Sequence, residues 1–187
     1  MIAIMSPACL EPLAALVERE LDLRDGDVLF RTGEAVRFIY LVRSGCVRLE
    51  RVQASGEPLV LQRAPAGQLP AEASVFASHY HCDAVAAGPT AVGRIRKADV
   101  LALQERDPGW LRAFAAHLAG EVQRTRARAQ LLSLKRVDAR LDAWLTLNGG
   151  KLPERGRWLD LAAELAVTPE ALYRELARRR EDGGGRA

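Results

Sequence analysis

Short runs of Val, Ile and Leu, several of them alternating with polar residues, occupy the chain between about residues 20 and 100. The runs are DVLFRT, FIYLVRSG, CVRLERVQ, EPLVLQRA, DAVAAG and AVGRIR. Turn residues separate them: Asp25-Gly26-Asp27, Gly33, Ser44-Gly45, Ser55-Gly56, Gly67 and Gly88-Pro89. Many short strands with regularly spaced turns are typical of a β-sandwich or barrel. Helical patterns flank this region, with CLEPLAALVERE before it and KADVLALQERD after it, so residues 1–107 are predicted to form one barrel domain.

A single long helix is predicted next, over residues 108–134, where Asp107 can cap the helix and Pro108 suits its first position. Its apolar and small residues recur at alternating steps of four and three: Leu111, Ala115, Leu118, Val122, Thr125, Ala129 and Leu132. This heptad spacing is typical of two helices packed along their length. The alternative is an amphipathic helix that packs only on its own domain, but roughly 40 Å of helix exceeds what a small barrel covers. We therefore predict a dimer interface that includes Leu111, Leu118, Val122, Thr125 and Ala129.

The last segment, residues 135–187, is predicted to be helical with a break. VDARLDAWLTL has the pattern of an amphipathic helix, NGGKLPERGR is a loop, and WLDLAAELAVTPEALYRELARRR contains two short helices. The residues AVT form the turn between them. Thr168 is a good N-cap, Pro169 fits the first helical position and Glu170 suits the positive helix N-terminus. Leu161, Leu165, Leu172 and Leu176 supply the apolar contacts, which makes this a helix-turn-helix unit.

On the second of these helices Glu170, Tyr173, Arg174 and Ala177 share one outward face. Glu170 and Arg174 could form a simple i,i+4 salt bridge. In a DNA major groove the same pair could read bases, with Arg on guanine and Glu on cytosine. Arg178, Arg179 and Arg180 lie further along and are predicted to meet phosphate. The predicted DNA-binding residues are Thr168, Pro169, Glu170, Tyr173, Arg174 and Arg178.

Composition narrows the class of protein. The chain has 187 residues, of which 49% are hydrophobic and 27% charged, and no apolar run is long enough to cross a bilayer. From Gly120 onward it carries 14 Lys and Arg against 10 Asp and Glu, which favours a polyanionic partner.

The three scattered cysteines argue against a disulfide framework, and the start lacks a basic signal-peptide region. We therefore expect a cytoplasmic protein without a membrane partner. An enzyme is disfavoured because no nucleophile–base pair or paired carboxylates stand out.

The chain resembles the CRP/FNR family of bacterial transcription regulators over nearly its full length. LRDGDVLFRTGEAVRFIYLVRSGCVRL is similar to the opening of the family's sensor barrel, GQLPAEASVFASHYHCDAVAA to its phosphate-binding cassette, and LAAELAVTPEALYRELARRREDG to its helix-turn-helix. The resemblance implies an α+β fold: an N-terminal double-stranded β-helix (jelly-roll) barrel, a long dimerisation helix and a C-terminal winged-helix-type helix-turn-helix. It implies a homodimer that binds double-stranded DNA at a near-palindromic operator, with RNA polymerase as a candidate further partner.

Two features depart from the family pattern. Relatives that bind cyclic AMP supply a glutamate for the ribose and an Arg-Ser pair for the phosphate; Glu72 matches the first, but Cys82-Asp83 replace the pair. A carboxylate repels phosphate and the bidentate guanidinium is absent, so cyclic AMP is not the expected effector. The resemblance implies an effector pocket formed by Glu72, Cys82, Asp83, Thr125 and Arg126; no cofactor is identified.

The second departure concerns the β-hairpin wing that the family has after its recognition helix. Here the sequence continues only as EDGGGRA. We expect either a truncated wing or two short strands before the helix-turn-helix that serve in its place. A second functional class is therefore a ligand-, redox- or metal-sensing barrel that acts through protein contacts, with weak DNA binding.

The stretch SHYHCDA contains three candidate metal ligands, His79, His81 and Cys82. In an extended chain the two histidines lie on one face and Cys82 on the other, and the spacing is not a standard zinc motif. Three interpretations stay open: a structural turn with Tyr80 and Cys82 packed inward, a redox or metal sensor, or a contact to another small molecule. An iron–sulfur cluster needs about four cysteines, which the three scattered ones do not provide.

Overall fold

The computed structural model describes residues 5–52 and 58–184, apart from the side chains at positions 58, 160 and 181–184. The chain forms two compact units, one ending at Gly120 and the other starting at Glu121. The helices are α1 Pro7–Ala14, α2 Lys97–Arg106, α3 Pro108–Ser133, α4 Val137–Leu147, α5 Trp158–Glu164 and α6 Pro169–Gly184. The strands are β1 Arg19–Leu23, β2 Val28–Phe30, β3 Phe38–Ser44, β4 Cys46–Val52, β5 Pro58–Pro65, β6 Asp83–Ala86 and β7 Thr90–Arg96. Short 3₁₀ segments cover Glu72–Phe76 and Arg155–Arg157.

The first unit is an antiparallel barrel made of two sheets. Their strand orders are β1-β7-β3 and β2-β6-β4-β5. In β4, Val47 and Leu49 are buried while their neighbours Cys46, Arg48 and Glu50 are partly exposed, which is the alternation that one buried sheet face requires. Gly45 has φ of +76°, and a Cβ there would collide with the carbonyl of Pro89, so the β3–β4 turn requires glycine. The predicted barrel is confirmed; the predicted turn at Ser55-Gly56 lies outside the described residues.

The start of the barrel differs from the prediction. CLEPLAALVERE was expected to be helical up to Glu20, but α1 ends at Ala14 and Arg19–Leu23 form β1. This strand pairs with β7, and the backbone N–H of Glu18 donates to the carbonyl of Arg94 at 2.9 Å. The Glu18 carboxylate also pairs with Arg94 and Arg96 at 2.8 and 2.5 Å. Tertiary pairing therefore overrides the helical propensity of the segment.

The long helix α3 begins as predicted, because the Asp107 carboxylate accepts a hydrogen bond from the backbone N–H of Trp110 at 2.9 Å. Trp110 and Phe114 stack at 5.0 Å and are buried in the barrel core. The Trp110 indole donates to the carbonyl of Cys9 at 3.0 Å. The first turns of α3 therefore pack with the barrel, and the boundary between the compact units falls inside this helix. The division at residues 107 and 134 stays a prediction.

The second unit contains the end of α3 followed by α4, α5 and α6. Its core is apolar, and the predicted Leu161, Leu165, Leu172 and Leu176 are all buried in it. In the described part of the chain no strand lies between α4 and α5, where only the 3₁₀ segment Arg155–Arg157 occurs. The suggestion that two strands before the helix-turn-helix replace a wing is therefore wrong, because residues 153–157 lead directly into α5 without forming a strand. None of the described helices is long and apolar enough to span a membrane.

Candidate functional site

The turn between α5 and α6 is fixed by caps on both sides. Ala166 adopts φ of +49°, and the N–H of Val167 donates to the carbonyl of Ala162 at 3.0 Å, which closes α5 with a Schellman-type cap. The hydroxyl of Thr168 accepts from the N–H of Ala171 at 3.2 Å, so Thr168 is the N-cap of α6, as predicted. These two caps set the direction in which α6 leaves the turn.

The outer face of α6 carries the residues predicted to contact DNA. Glu170, Tyr173, Arg174 and Ala177 are exposed, whereas Leu172 and Leu176 are buried on the opposite side. The pKa of Glu170 is lowered by hydrogen bonds from its own backbone N–H and from the Thr168 hydroxyl. No ion pair joins Glu170 to Arg174 in the described structure. The salt-bridge alternative is therefore not what the structure contains, and the Arg174 guanidinium projects from an open surface.

The C-terminal arginines of α6 have different surroundings. Arg178 and Arg179 both pair with Glu175, at 2.8 and 2.7 Å, and Glu175 is 9% exposed. Arg179 also lies 2.7 Å from Asp142 of α4 and donates to the carbonyl of Asp138 at 3.0 Å. Arg179 therefore holds α6 against α4, contrary to its predicted phosphate contact, because carboxylate and carbonyl oxygens already surround its guanidinium. Arg178 keeps a half-exposed side chain.

Sequence reasoning missed Arg140 of α4, which stabilises the turn between α5 and α6 through hydrogen bonds to backbone carbonyls. Its guanidinium donates to the carbonyls of Leu134, Leu165, Ala166 and Leu132 at 2.7, 2.9, 3.0 and 3.3 Å. These carbonyls belong to the C-terminal ends of α3 and α5, where a cation is favourable. No sequence motif indicates this role, because an arginine in an amphipathic helix usually faces solvent.

Sequence reasoning also missed Trp158, the first residue of α5. Its ring contacts that of Tyr173 with 5.7 Å between centroids, and the guanidinium groups of Arg155 and Arg180 lie 5.5 and 5.4 Å from the indole. The indole N–H donates to the carbonyl of Pro153 at 3.1 Å. The only available signal in the sequence was a Trp preceded by two arginines in RGRW. Tyr173 is therefore both exposed and packed against Trp158.

The heptad seam of α3 presents an apolar stripe. Leu111 and Val122 are 38% and 48% exposed, and Ala115, Thr125 and Ala129 are exposed as well. Leu118 is partly buried against the barrel core and Leu132 against the core of the second unit. The predicted interface residues therefore share one face of α3. Part of the Leu118 side chain already packs against the barrel core and is not available to a partner helix.

Three residues of the predicted effector pocket, Glu72, Cys82 and Asp83, lie close enough in the barrel to interact electrostatically, but their hydrogen bonds and burial differ. Glu72 is buried in the 3₁₀ segment, and the Cys82 thiol is fully buried, which raises its pKa to about 11. The Asp83 carboxylate accepts hydrogen bonds from the N–H and hydroxyl of Thr32 at 2.7 and 2.8 Å, which lower its pKa. Asp83 is therefore a fixed negative charge. Thr125 and Arg126 belong to the other compact unit, and their part in the pocket stays a prediction.

The SHYHCDA stretch alternates between outward and inward side chains. His79 and His81 are exposed, whereas Tyr80 and Cys82 are buried in the barrel core. The Tyr80 hydroxyl donates to the carbonyl of Phe38 at 2.5 Å, its ring stacks on Phe30, and burial raises its pKa. His79, His81 and Cys82 do not converge, and the described residues contain no cluster of three or more metal-ligating side chains. This geometry agrees with the structural turn and not with a three-ligand metal site.

Comparison with known proteins agrees with this architecture. Residues 20–107 match the cyclic nucleotide-binding domain family. The fumarate and nitrate reduction regulatory protein of Salmonella typhi is 23% identical over 184 residues, covering 93% of this chain and 74% of that protein. The catabolite activator protein of Thermus thermophilus is 28% identical with a TM-score of 0.56, covering 95% of this chain and 85% of the other.

A further solved structure, FixK2 from Bradyrhizobium japonicum, superposes with a TM-score of 0.68 at 20% identity, covering 88% of this chain and 85% of the other. At that identity the likeness concerns the fold. This similarity in fold is consistent with the sequence similarity to the two regulators named above, which extends over almost the whole chain. A cyclic nucleotide-binding barrel, a long helix and a capped helix-turn-helix thus occur here in one chain, and the comparisons support a transcription regulator of the CRP/FNR type, a family whose members are not enzymes.

Proposed function

We propose that this regulator is a homodimer that binds double-stranded DNA sequence-specifically by inserting α6 into the major groove. The observation that carries the proposal is the outer face of α6. Arg174 and Glu170 are exposed there without an ion pair between them, on a helix whose start is fixed by Thr168. A helix held rigidly at its N-terminus presents its first turns to the base edges in the known helix-turn-helix geometry.

The chemistry of the two side chains suits base recognition. The planar guanidinium of Arg174 can bind O6 and N7 of a guanine with two hydrogen bonds, and the Glu170 carboxylate can accept from N4 of cytosine. The Glu170 carboxylate, whose pKa lies below its ordinary value, is ionised at neutral pH and is therefore a hydrogen-bond acceptor. Thr168, Pro169 and Tyr173 complete the proposed contact surface, and Arg178 is proposed to meet a phosphate with the half of its side chain that is exposed.

The dimer is proposed to form along α3. Val122, Thr125 and Ala129 present small and apolar side chains in heptad spacing and are exposed in the single chain. Packing of two such helices would remove this stripe from water. A two-fold axis between them would place two copies of α6 over half-sites related by the same symmetry, so we propose a near-palindromic operator with half-sites one helical turn, about 34–36 Å, apart.

The barrel is proposed to sense an effector other than cyclic AMP. Asp83 is held ionised by Thr32 where phosphate would need a cation, and Cys82 is a buried thiol. An effector would act through α3, the continuous helix that runs from the barrel unit into the second unit, by shifting the population of dimer geometries. RNA polymerase is the proposed further partner, and the cytoplasm, where DNA is accessible, the proposed location.

The proposal is tested by selection from a randomised pool of double-stranded DNA with the purified full chain, repeated at several salt concentrations. The expected result is enrichment of a near-palindromic site whose affinity falls steeply with salt, because phosphate contacts release counterions. A pool that stays random, with retention that is weak and independent of salt, would instead favour the alternative in which the barrel acts through protein contacts.

A further inference from the structure

A second group of arginines lies beside the proposed recognition face, held by an aromatic side chain. Trp158 is almost completely buried, and its ring has Arg155 and Arg180 within cation–π distance, at 5.5 and 5.4 Å. Tyr173 contacts the same indole. We call Arg155, Trp158 and Arg180 the tryptophan–arginine patch.

The two guanidinium groups of this patch are electrostatically unlike those of Arg178 and Arg179. In the part of the chain that the structure describes, neither Arg155 nor Arg180 forms an ion pair, and both are exposed. Arg178 and Arg179, in contrast, share the carboxylate of Glu175. The patch therefore presents two positive charges that no described carboxylate neutralises.

The position of the patch relates it to the recognition face. Arg180 follows Tyr173 by seven residues, about two helical turns, and so lies on the same side of α6. Arg155 lies on the 3₁₀ segment that leads into α5 and reaches the same indole. Trp158 thereby brings together two arginines that are 25 positions apart in the sequence.

We propose that Arg155 and Arg180 bind the phosphate backbone of the DNA next to the bases that Arg174 reads, and that Trp158 is a positioning residue for both. The proposal rests on the proposed function. A planar guanidinium forms two parallel hydrogen bonds to a phosphate, and one already held against an aromatic ring loses less side-chain freedom on binding. These contacts carry no base preference; they fix the register of α6 in the groove.

The experiment measures the affinity of the full chain for its selected operator at a series of salt concentrations by fluorescence anisotropy. Arg155→Ala and Arg180→Ala should each reduce the slope of log affinity against log salt by about one unit, and the double variant by about two. Arg19→Ala removes an exposed charge from β1 in the other unit and should leave the slope unchanged. The half-site selected by the Arg155 and Arg180 variants should be that of the wild type.

Trp158→Leu tests the positioning role, because it keeps both arginines and an apolar side chain. It should weaken binding and reduce the slope, and Trp158→Phe should restore part of both, since the phenyl ring keeps a weaker cation–π contact. Circular dichroism and urea unfolding verify that these variants are folded. A Trp158→Leu protein that is folded and binds like the wild type would show that the indole positions neither arginine.

Two failures are distinguishable. If Arg155→Ala and Arg180→Ala behave like Arg19→Ala on an operator that the wild type binds with strong salt dependence, the patch does not contact phosphate, although the proposed function stands. If the wild type itself shows no salt-dependent binding to any DNA, the proposed function is wrong and the patch proposal falls with it.

Discussion

Arg179 Nη1 lies 2.7 Å from Asp142 Oδ1, and this ion pair connects α4 with α6, the helix proposed to read DNA. The same guanidinium reaches Glu175, which also accepts from Arg178. Glu175 is 9% exposed, so its charge is stabilised by the two arginines and little by water. The orientation of α6 therefore depends on a carboxylate that must stay ionised.

This dependence predicts a pH effect on the stability of the second unit. Hydrogen bonds from Arg178, and then from Arg179, lower the pKa of Glu175 in the folded state, whereas the pKa of a Glu in the unfolded chain is about 4.3. Its contribution is therefore complete above that pH and is lost as the pH falls toward the lower folded-state pKa. Glu175→Gln should reduce the free energy of unfolding by about 1–3 kcal/mol at pH 7.

The measurement is urea unfolding between pH 7 and pH 3, with Glu154→Gln as control because Glu154 is exposed in the same unit. The gap between the wild type and Glu175→Gln should narrow as the pH falls below about 4.3. A gap that is absent at pH 7, or constant down to pH 3, would mean that the Glu175 ion pairs contribute nothing to the fold.

The sequence predicted those parts of the fold that local pattern determines. Six of the seven strands found in the described residues follow from alternation, and the capped starts of α3 and α6 and the four leucines of the helix-turn-helix follow from caps and helical spacing. β1 was missed because its strand identity comes from pairing with β7, which is distant in sequence. Arg140, Trp158 and Arg179 were missed or assigned differently for a similar reason, since each acts through partners on another element.

The dimer proposal predicts that a charge in the α3 seam dissociates the protein. Val122 is 48% exposed in the single chain and lies mid-seam. In the dimer, Val122→Glu would face two carboxylates toward each other in a region of low dielectric, at a cost of several kcal/mol. Analytical ultracentrifugation should find the wild type dimeric and Val122→Glu monomeric.

Val52→Glu is the matched control, because Val52 is an exposed valine of the barrel outside the seam. It should leave the dimer intact. A Val122→Glu protein that still sediments as a dimer would place the interface elsewhere than on the heptad seam.

The barrel predicts weak binding of cyclic AMP. The Asp83 carboxylate is held by Thr32 with a lowered pKa, so it is negatively charged at neutral pH and repels the cyclic phosphate. Isothermal titration calorimetry should give a dissociation constant no lower than about 1 mM, and added cyclic AMP should not change affinity for the selected operator. Micromolar binding would require a phosphate partner other than the cassette positions Cys82 and Asp83.

The sharpest prediction concerns base recognition by Arg174. This residue lies one turn after Glu170 on the exposed face of α6, on a helix fixed by the Thr168 cap and braced against α4 through Arg179. Arg174→Ala should lose about 1–3 kcal/mol of discrimination at one guanine in each half-site, because the bidentate contact to O6 and N7 disappears.

Selection from randomised DNA with the wild type, Arg174→Ala and Arg180→Ala distinguishes a residue that contacts bases from one that contacts phosphate. Arg174→Ala should relax the preference at one position, whereas Arg180→Ala should weaken binding to all sequences alike, because phosphate contacts carry no sequence information. The rigid caps around Ala166 and Thr168 make this comparison informative, since neither substitution removes a contact that holds the turn. If Arg174→Ala selects the same half-site as the wild type with equal stringency, Arg174 does not read a base and the recognition surface of α6 lies elsewhere.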